Sequence, residues 1–182
     1  PIYRVKYTRM KAEEKKQVFE KVYQDFKDPI YRTCCIYLSS EADRQDLFQE
    51  ILTKVWNALE GLRSMGALKT WIYRISNNTA LQYVISQKKK EHNQVDHELI
   101  PLIDSHEHDL DKKIRQEKTI EDLYQQINKL PAFDRSLISM ILEELSMREI
   151  AEITGLHEGN VRAKVHRVKK KLKVMLEENN GY

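Results

Sequence analysis

Apolar residues recur at steps of three and four along most of this chain, the spacing of amphipathic helices rather than strands. Val18, Val22 and Phe26 mark one helix, and Ile30, Cys34 and Leu38 continue its apolar face beyond Pro29. Ser40 and Asp43 have capping-box spacing and open a long helix through Asp46. Its stripe is Leu47, Ile51, Val55 and Leu59, at steps of four. Glu60 to Gly66 reads as a loop, and the helix after it carries Trp71, Ile72, Ile75 and Thr79 inward. Much further on, Ile120, Leu123, Tyr124 and Ile127 mark another amphipathic helix. Leu130-Pro131 ends that helix and starts the next, because proline is accepted in a first helical turn. Leu137, Ile138, Ile141 and Leu142 give the new helix its apolar face.

The last third of the chain holds the most specific pattern. Ser146 and Glu149 again have capping-box spacing, and Ile150, Ala151 and Ile153 give a short helix a small apolar face. Thr154-Gly155 ends it, since glycine tolerates the backbone angles of a tight turn. A second helix follows, with Val161, Val165, Val168 and Leu172 as its stripe. Two helices joined in this way predict a helix-turn-helix, whose second helix enters the DNA major groove. Arg162, Lys164, Arg167, Lys169, Lys170, Lys171 and Lys173 are basic, with no acid between Arg162 and Lys173. Such a surface attracts phosphates and gains affinity from released counterions.

Composition narrows the class. Charged residues make up 32% of the 182, and there are only five glycines and four prolines. This favours an all-α protein over a sheet protein, whose turns need more of both. The net charge is only +3, so the informative feature is its segregation. Residues 91–111 hold seven acids (Glu91, Asp96, Glu98, Asp104, Glu107, Asp109 and Asp111) and no lysine or arginine. That stretch, with Pro101 and no sustained helical period, reads as a flexible acidic linker between two helical domains, 1–90 and 112–182. His92, His97, His106 and His108 also fall there, but no preorganised ligand set accompanies them, and neither a metal nor any other cofactor is expected. Cys34 and Cys35 are adjacent, which suits neither a disulfide nor a zinc spacing; they read as thiols of a reducing cytoplasm. No apolar run approaches a membrane span and no signal-peptide pattern opens the chain, so a soluble, cytoplasmic protein is expected.

Three stretches together resemble one family, the extracytoplasmic-function (ECF) group of bacterial RNA polymerase sigma factors. Asp46-Leu-Phe-Gln-Glu-Ile-Leu-Thr-Lys-Val-Trp56 resembles the family's core-binding helix. Leu68-Lys-Thr-Trp-Ile-Tyr-Arg-Ile-Ser-Asn-Asn78 resembles the segment that melts and reads the promoter −10 element, and Leu130 through Lys173 the −35-reading domain. The resemblance implies a specificity subunit without a catalytic site. Asp46, Gln49, Glu50, Lys54 and Trp56 would dock on the clamp helices of the polymerase β′ subunit, with the β subunit as a further contact. Arg63, Lys69, Trp71, Tyr73, Arg74, Asn77, Asn78 and Tyr83 would serve the −10 element with charge, stacking faces and amides. His157, Glu158, Asn160, Arg162, Lys164, His166 and Arg167 would serve the −35 element. An anti-sigma protein that blocks both domains is implied as a partner, alongside core polymerase and promoter DNA in duplex and single-stranded form. The acidic linker would thread the basic RNA channel of polymerase, its acids imitating RNA phosphates.

The residues themselves leave some roles open. Trp71 suits core packing as well as base stacking. Glu158 suits the dipole at a helix start as well as a cytosine amino group. His157 stands where the family has serine or a similar cap. Asn77-Asn78 replaces a common Arg-Asn, Gln82 stands at a frequent Asp position, Ile85 lies near a frequent Arg, and Ala67-Leu68 replaces Ser-Phe. These departures bear on which −10 sequence is read. Two other classes remain: a stand-alone helix-turn-helix regulator, and a helical adaptor without DNA contact. The Asp46–Trp56 helix argues against the first and the basic second helix against the other.

Overall fold

The computed structural model describes residues 12–62, 65–91 and 111–179, and every element among them is helical. Arg63, the linker histidines and most of the acidic stretch lie outside these residues. Three long helices come first: α1 (Ala12–Tyr37), α2 (Glu41–Ala58) and α3 (Leu68–Glu91). Single 3₁₀ turns at Leu59–Gly61 and Met65–Ala67 lead from α2 to α3. Then come α4 (Asp111–Asn128), α5 (Ala132–Leu142), α6 (Met147–Thr154) and α7 (Glu158–Asn179).

Helix α1 continues without interruption past Pro29. Ring and missing N–H weaken that turn, but the apolar face carries on at the same step, and Val22, Ile30 and Cys34 all reach the core. The α2 stripe behaves as its spacing predicts: Leu47, Ile51, Val55 and Leu59 are wholly buried. Ser40 caps α2 by accepting from the Asp43 N–H at 3.4 Å. Helices α1, α2 and α3 pack on one another as a first bundle, with Ile72, Ala80 and Val84 as the share of α3.

The second bundle is built on α7, which packs against α4, α5 and α6. Its stripe Val161, Val165, Val168 and Leu172 is buried, as the sequence predicts. Pro131 stands at the N-cap of α5. Two expected core residues lie outside the core: Leu142 is 46% exposed and Ile120 54%. Helix α5 instead buries an unbroken run, Ser136 to Met140, because it is covered from two sides. Glu144, with φ +57°, turns the chain sharply after α5 in the left-handed region, and the Leu145 N–H donates back to the Met140 carbonyl.

The two bundles share a seam. Helix α1 touches α4 and α5, and α3 touches α5 and α6. Thr33 and Ser139, both wholly buried, pair their hydroxyls at 3.2 Å. Arg135 donates to the Tyr37 carbonyl at 2.9 Å, and Asn128 to the Cys35 carbonyl at 3.3 Å. Most buried polar groups are partnered, and these pairs fit the two bundles together, while Asn128 Oδ1 is buried without a hydrogen-bond partner. Cys34 lies inside the first bundle and Cys35 at the seam's edge, both as free thiols.

Candidate nucleic-acid interface

The helix-turn-helix is assembled from local chemistry. Ser146 Oγ accepts from the Glu149 N–H at 3.2 Å, while the Glu149 carboxylate takes the Ser146 N–H and hydroxyl, each at 2.7 Å. These bonds hold the Glu149 carboxyl below the usual glutamate range, the Ser146 hydroxyl contributing most. Gly155, at φ +71°, makes the left-handed turn that lets α7 leave α6. His157 then caps α7: its Nδ1 accepts from the Gly159 N–H at 3.2 Å. An imidazole thus fills the place that serine usually takes.

Helix α7 turns its valines inward and its polar residues out. Asn160, Arg162, His166 and Arg167 are exposed, and Glu158 pairs with Arg162 one turn on. Glu158 therefore both faces the positive end of the helix dipole and holds the Arg162 guanidinium. Lys164 is different: its ammonium lies 5.5 Å above the Phe133 ring. With Asp134, Arg167 and Lys171 it lines a basic cleft of about 160 Å³ between α5 and α7.

In the first bundle the candidate residues divide over several faces. On α2, Asp46 and Gln49 are exposed and Glu50 pairs with Lys54 at 2.8 Å, away from the buried stripe. Trp56 is tied to α1: its ring meets Phe19 edge-on at 5.2 Å, and Lys15 sits 4.7 Å above it. On α3, Asn78 is exposed and joins Lys54, Asn57, Ile75, Thr79 and Gln82 around a groove of about 440 Å³ between α2 and α3. Lys54 donates to Gln82 across it at 3.5 Å. Asn57 was not singled out from the sequence. Its signal was available: a polar residue one turn after Lys54 on the same helix.

The remaining α3 candidates face the seam or the core. Lys69 is exposed, and Trp71 and Tyr83 are half-buried against the bundle. Asn77, a −10 candidate of a residue type that costs helix stability, is buried: it donates to the Tyr73 carbonyl at 3.0 Å and accepts from Tyr37 Oη at 3.5 Å. Its amide thus repays part of that cost inside the protein. Tyr73 is buried too, and its hydroxyl donates to Glu143 at 3.0 Å. Burial and the neighbouring Glu143 charge push that phenol well above the usual tyrosine range. Arg74 donates to the Glu152 carbonyl at 2.9 Å. Among the described residues no group of three potential metal ligands comes together, and no helix is long and apolar enough to cross a membrane.

Comparison with known proteins places these two bundles. Residues 22–90 match the family model for sigma-70 region 2, and residues 120–172 that for sigma-70 region 4. The RNA polymerase sigma factor SigV of Bacillus subtilis is 29% identical over 153 residues, covering 84% of this chain and 87% of its own. The ECF RNA polymerase sigma-E factor of Haemophilus influenzae is 30% identical over 141 residues, covering 71% and 72%. Among solved structures, the sigma factor RpoE of Bartonella quintana, determined with the anti-sigma factor NepR, superposes with a TM-score of 0.69 at 20% identity. That match covers 88% of this chain and 98% of that one. With both regions in order and relatives matched over most of their length, the chain belongs to the ECF group of RNA polymerase sigma factors.

Proposed function

We propose that this chain is a dissociable specificity subunit of bacterial RNA polymerase that works in the cytoplasm and has no catalytic centre of its own. The exposed face of α2, around Asp46, Gln49, Glu50 and Lys54, docks on the β′ clamp helices, with the β subunit as a further contact. Residues 61–67, with α3 from Lys69 onward, separate the strands and hold the −10 element. The groove between α2 and α3 offers amides at Asn57, Asn78 and Gln82 to an unstacked base edge. The exposed start of α7 reads the −35 element. Asn160 and Arg162 meet bases, while Lys164 and Arg167, beside the basic cleft, meet phosphates. A protein inhibitor that covers both bundles is the expected regulator, in line with the anti-sigma partner of the Bartonella relative.

The observation that carries this reading is the second bundle itself: a doubly hydrogen-bonded Ser146/Glu149 cap, a left-handed Gly155 and exposed Asn160, Arg162 and His166 on α7. That is the geometry with which a helix enters a major groove. The test is reconstitution with core polymerase on a promoter library, with transcript starts sequenced. Starts should cluster at one distance from a shared pair of elements. Starts independent of the added chain would overturn the assignment.

A further inference from the structure

Part of the α3 surface assigned to promoter DNA, Tyr73 and Arg74, is engaged by acidic residues of the second bundle in this structure. Glu143 accepts from Arg32 Nε at 2.6 Å, from Arg32 Nη2 at 2.8 Å and from the Tyr73 hydroxyl at 3.0 Å. Its side chain is 7% exposed. Arg74 Nη2 lies 3.7 Å from a Glu152 carboxylate oxygen and bonds that residue's carbonyl. Lys69 stands close enough to Glu149 to favour its charged form. Two arginines of the first bundle thus pair with two carboxylates of the second.

The chemistry of this contact is that of a phosphate site. A planar guanidinium held two-pronged by paired oxygens binds carboxylate and phosphate by the same geometry. A phenol and a second arginine beside it complete a set of donors suited to a nucleic-acid backbone. These donors are spent on the protein's own acids, whereas Asn160, Arg162 and His166 on α7 stay exposed. The seam therefore engages part of one DNA surface and leaves the other open.

We propose that the acidic edge formed by Glu143 and Glu152 is an internal substitute for DNA phosphate, which docks on α1 and α3 in the free chain and must be displaced before Tyr73 and Arg74 can reach promoter DNA. The inference rests on the assignment of α3 to the −10 element. Glu143 is its centre, because it alone takes donors from two helices of the first bundle at once. The tight turn at Glu144 holds it there, at the end of α5. A buried charge whose partner is replaced by a like charge cannot stay docked, so Glu143→Arg, facing Arg32, should part the bundles. Arg32→Glu combined with Glu143→Arg keeps the wild-type charge total and restores an opposed pair.

The test uses the full chain without polymerase. Small-angle scattering reads closure, and fluorescence anisotropy reads binding to two probes: a single-stranded oligonucleotide carrying the −10 sequence and a duplex carrying only the −35 sequence. If the open form is about 10% of the wild-type population, freeing it should tighten single-strand binding about tenfold. Glu143→Arg should expand the particle and strengthen single-strand binding well beyond its effect on the duplex, and the swapped pair should reverse both. The added positive charge alone would strengthen both probes alike; that result, or an unchanged particle size, would overturn the proposal. Scattering involves no DNA, and promoter use by the polymerase complex is read separately. A chain that opens without gaining single-strand affinity therefore refutes the phosphate substitute even where transcription succeeds.

Discussion

Ser146 concentrates several bonds in one small side chain. It satisfies the Glu149 N–H and anchors the Glu149 carboxylate, so Ser146→Ala should cost about 1 kcal/mol near neutral pH. The sign of the pH effect follows from the depressed Glu149 carboxyl. Its stabilisation is present above the unfolded glutamate range and is lost as pH falls through the lower folded value. The penalty of Ser146→Ala should therefore shrink in acid, which urea titrations at pH 7 and near pH 3 would reveal; an equal penalty at both would assign the cap to the hydroxyl alone. A second prediction separates Arg162 from Lys164. The exposed Arg162 guanidinium is free to turn from Glu158 to a base, so Arg162→Ala should cost about 1–3 kcal/mol at one −35 position and relax preference there. Lys164, set against Phe133 beside the basic cleft, should when replaced by alanine weaken all duplexes alike and lower the salt slope. Losses equal on every sequence for both variants would reduce Arg162 to a phosphate contact.

At the scale of the element, α2 carries two separable tasks. Its buried stripe holds the first bundle, and its outer face carries Asp46, Gln49 and Glu50. Changing those three to alanine removes only one helical ion pair, Glu50–Lys54, worth about 0.3–0.5 kcal/mol. Circular dichroism and melting should barely move while affinity for core polymerase falls; an unchanged affinity would exclude this face from the interface. Elements were largely legible in the chain because each stripe is local. Leu47 to Leu59 and Val161 to Leu172 announce their helices, and the Ser146, Gly155 and Pro131 boundaries lie where cap and turn chemistry put them. Single positions were less so. Leu142 and Ile120 suit an apolar face by spacing, yet stand at helix positions that no neighbour covers. Ser136 and Ser139, which spacing alone would send outward, are buried because a second surface arrives from the other bundle.

The arrangement of the whole molecule was the least legible. Arg32 and Glu143 are 111 positions apart, and each reads in sequence as an ordinary solvated charge. No periodicity links two such residues; only the approach of α5 to α1 and α3 does. The site divides in the same way. The α7 face could be read locally, whereas the burial of Tyr73 and Asn77 depends on distant partners. At this scale belongs a prediction for the acidic stretch between the bundles. Converting Asp104, Glu107, Asp109 and Asp111 to amides should lower affinity for core polymerase at low salt and alter the yield of short abortive transcripts, if those charges sit in a basic channel. Both effects should fade at high salt, where screening shortens their reach. No difference at low salt would make the stretch a tether.

The neighbouring cysteines turn the packing into something a reagent can time. Burial pushes the Cys34 thiol up to about 12, so an alkylating agent meets almost no thiolate there while the first bundle stands. Cys35, one peptide bond away, borders the seam beside Ile120, Tyr124 and Asn128. Trypsin, cutting after Arg32 and Arg44, leaves both thiols on one peptide, whose mass counts the additions. The first label should follow the parting of the bundles and come sooner in Glu143→Arg. The second should wait for global unfolding, at the same pace in both proteins apart from any loss of overall stability. Two labels arriving together in the wild-type chain would mean that the halves separate only by unravelling. One peptide thus carries two clocks, one for a docking event and one for the life of the fold.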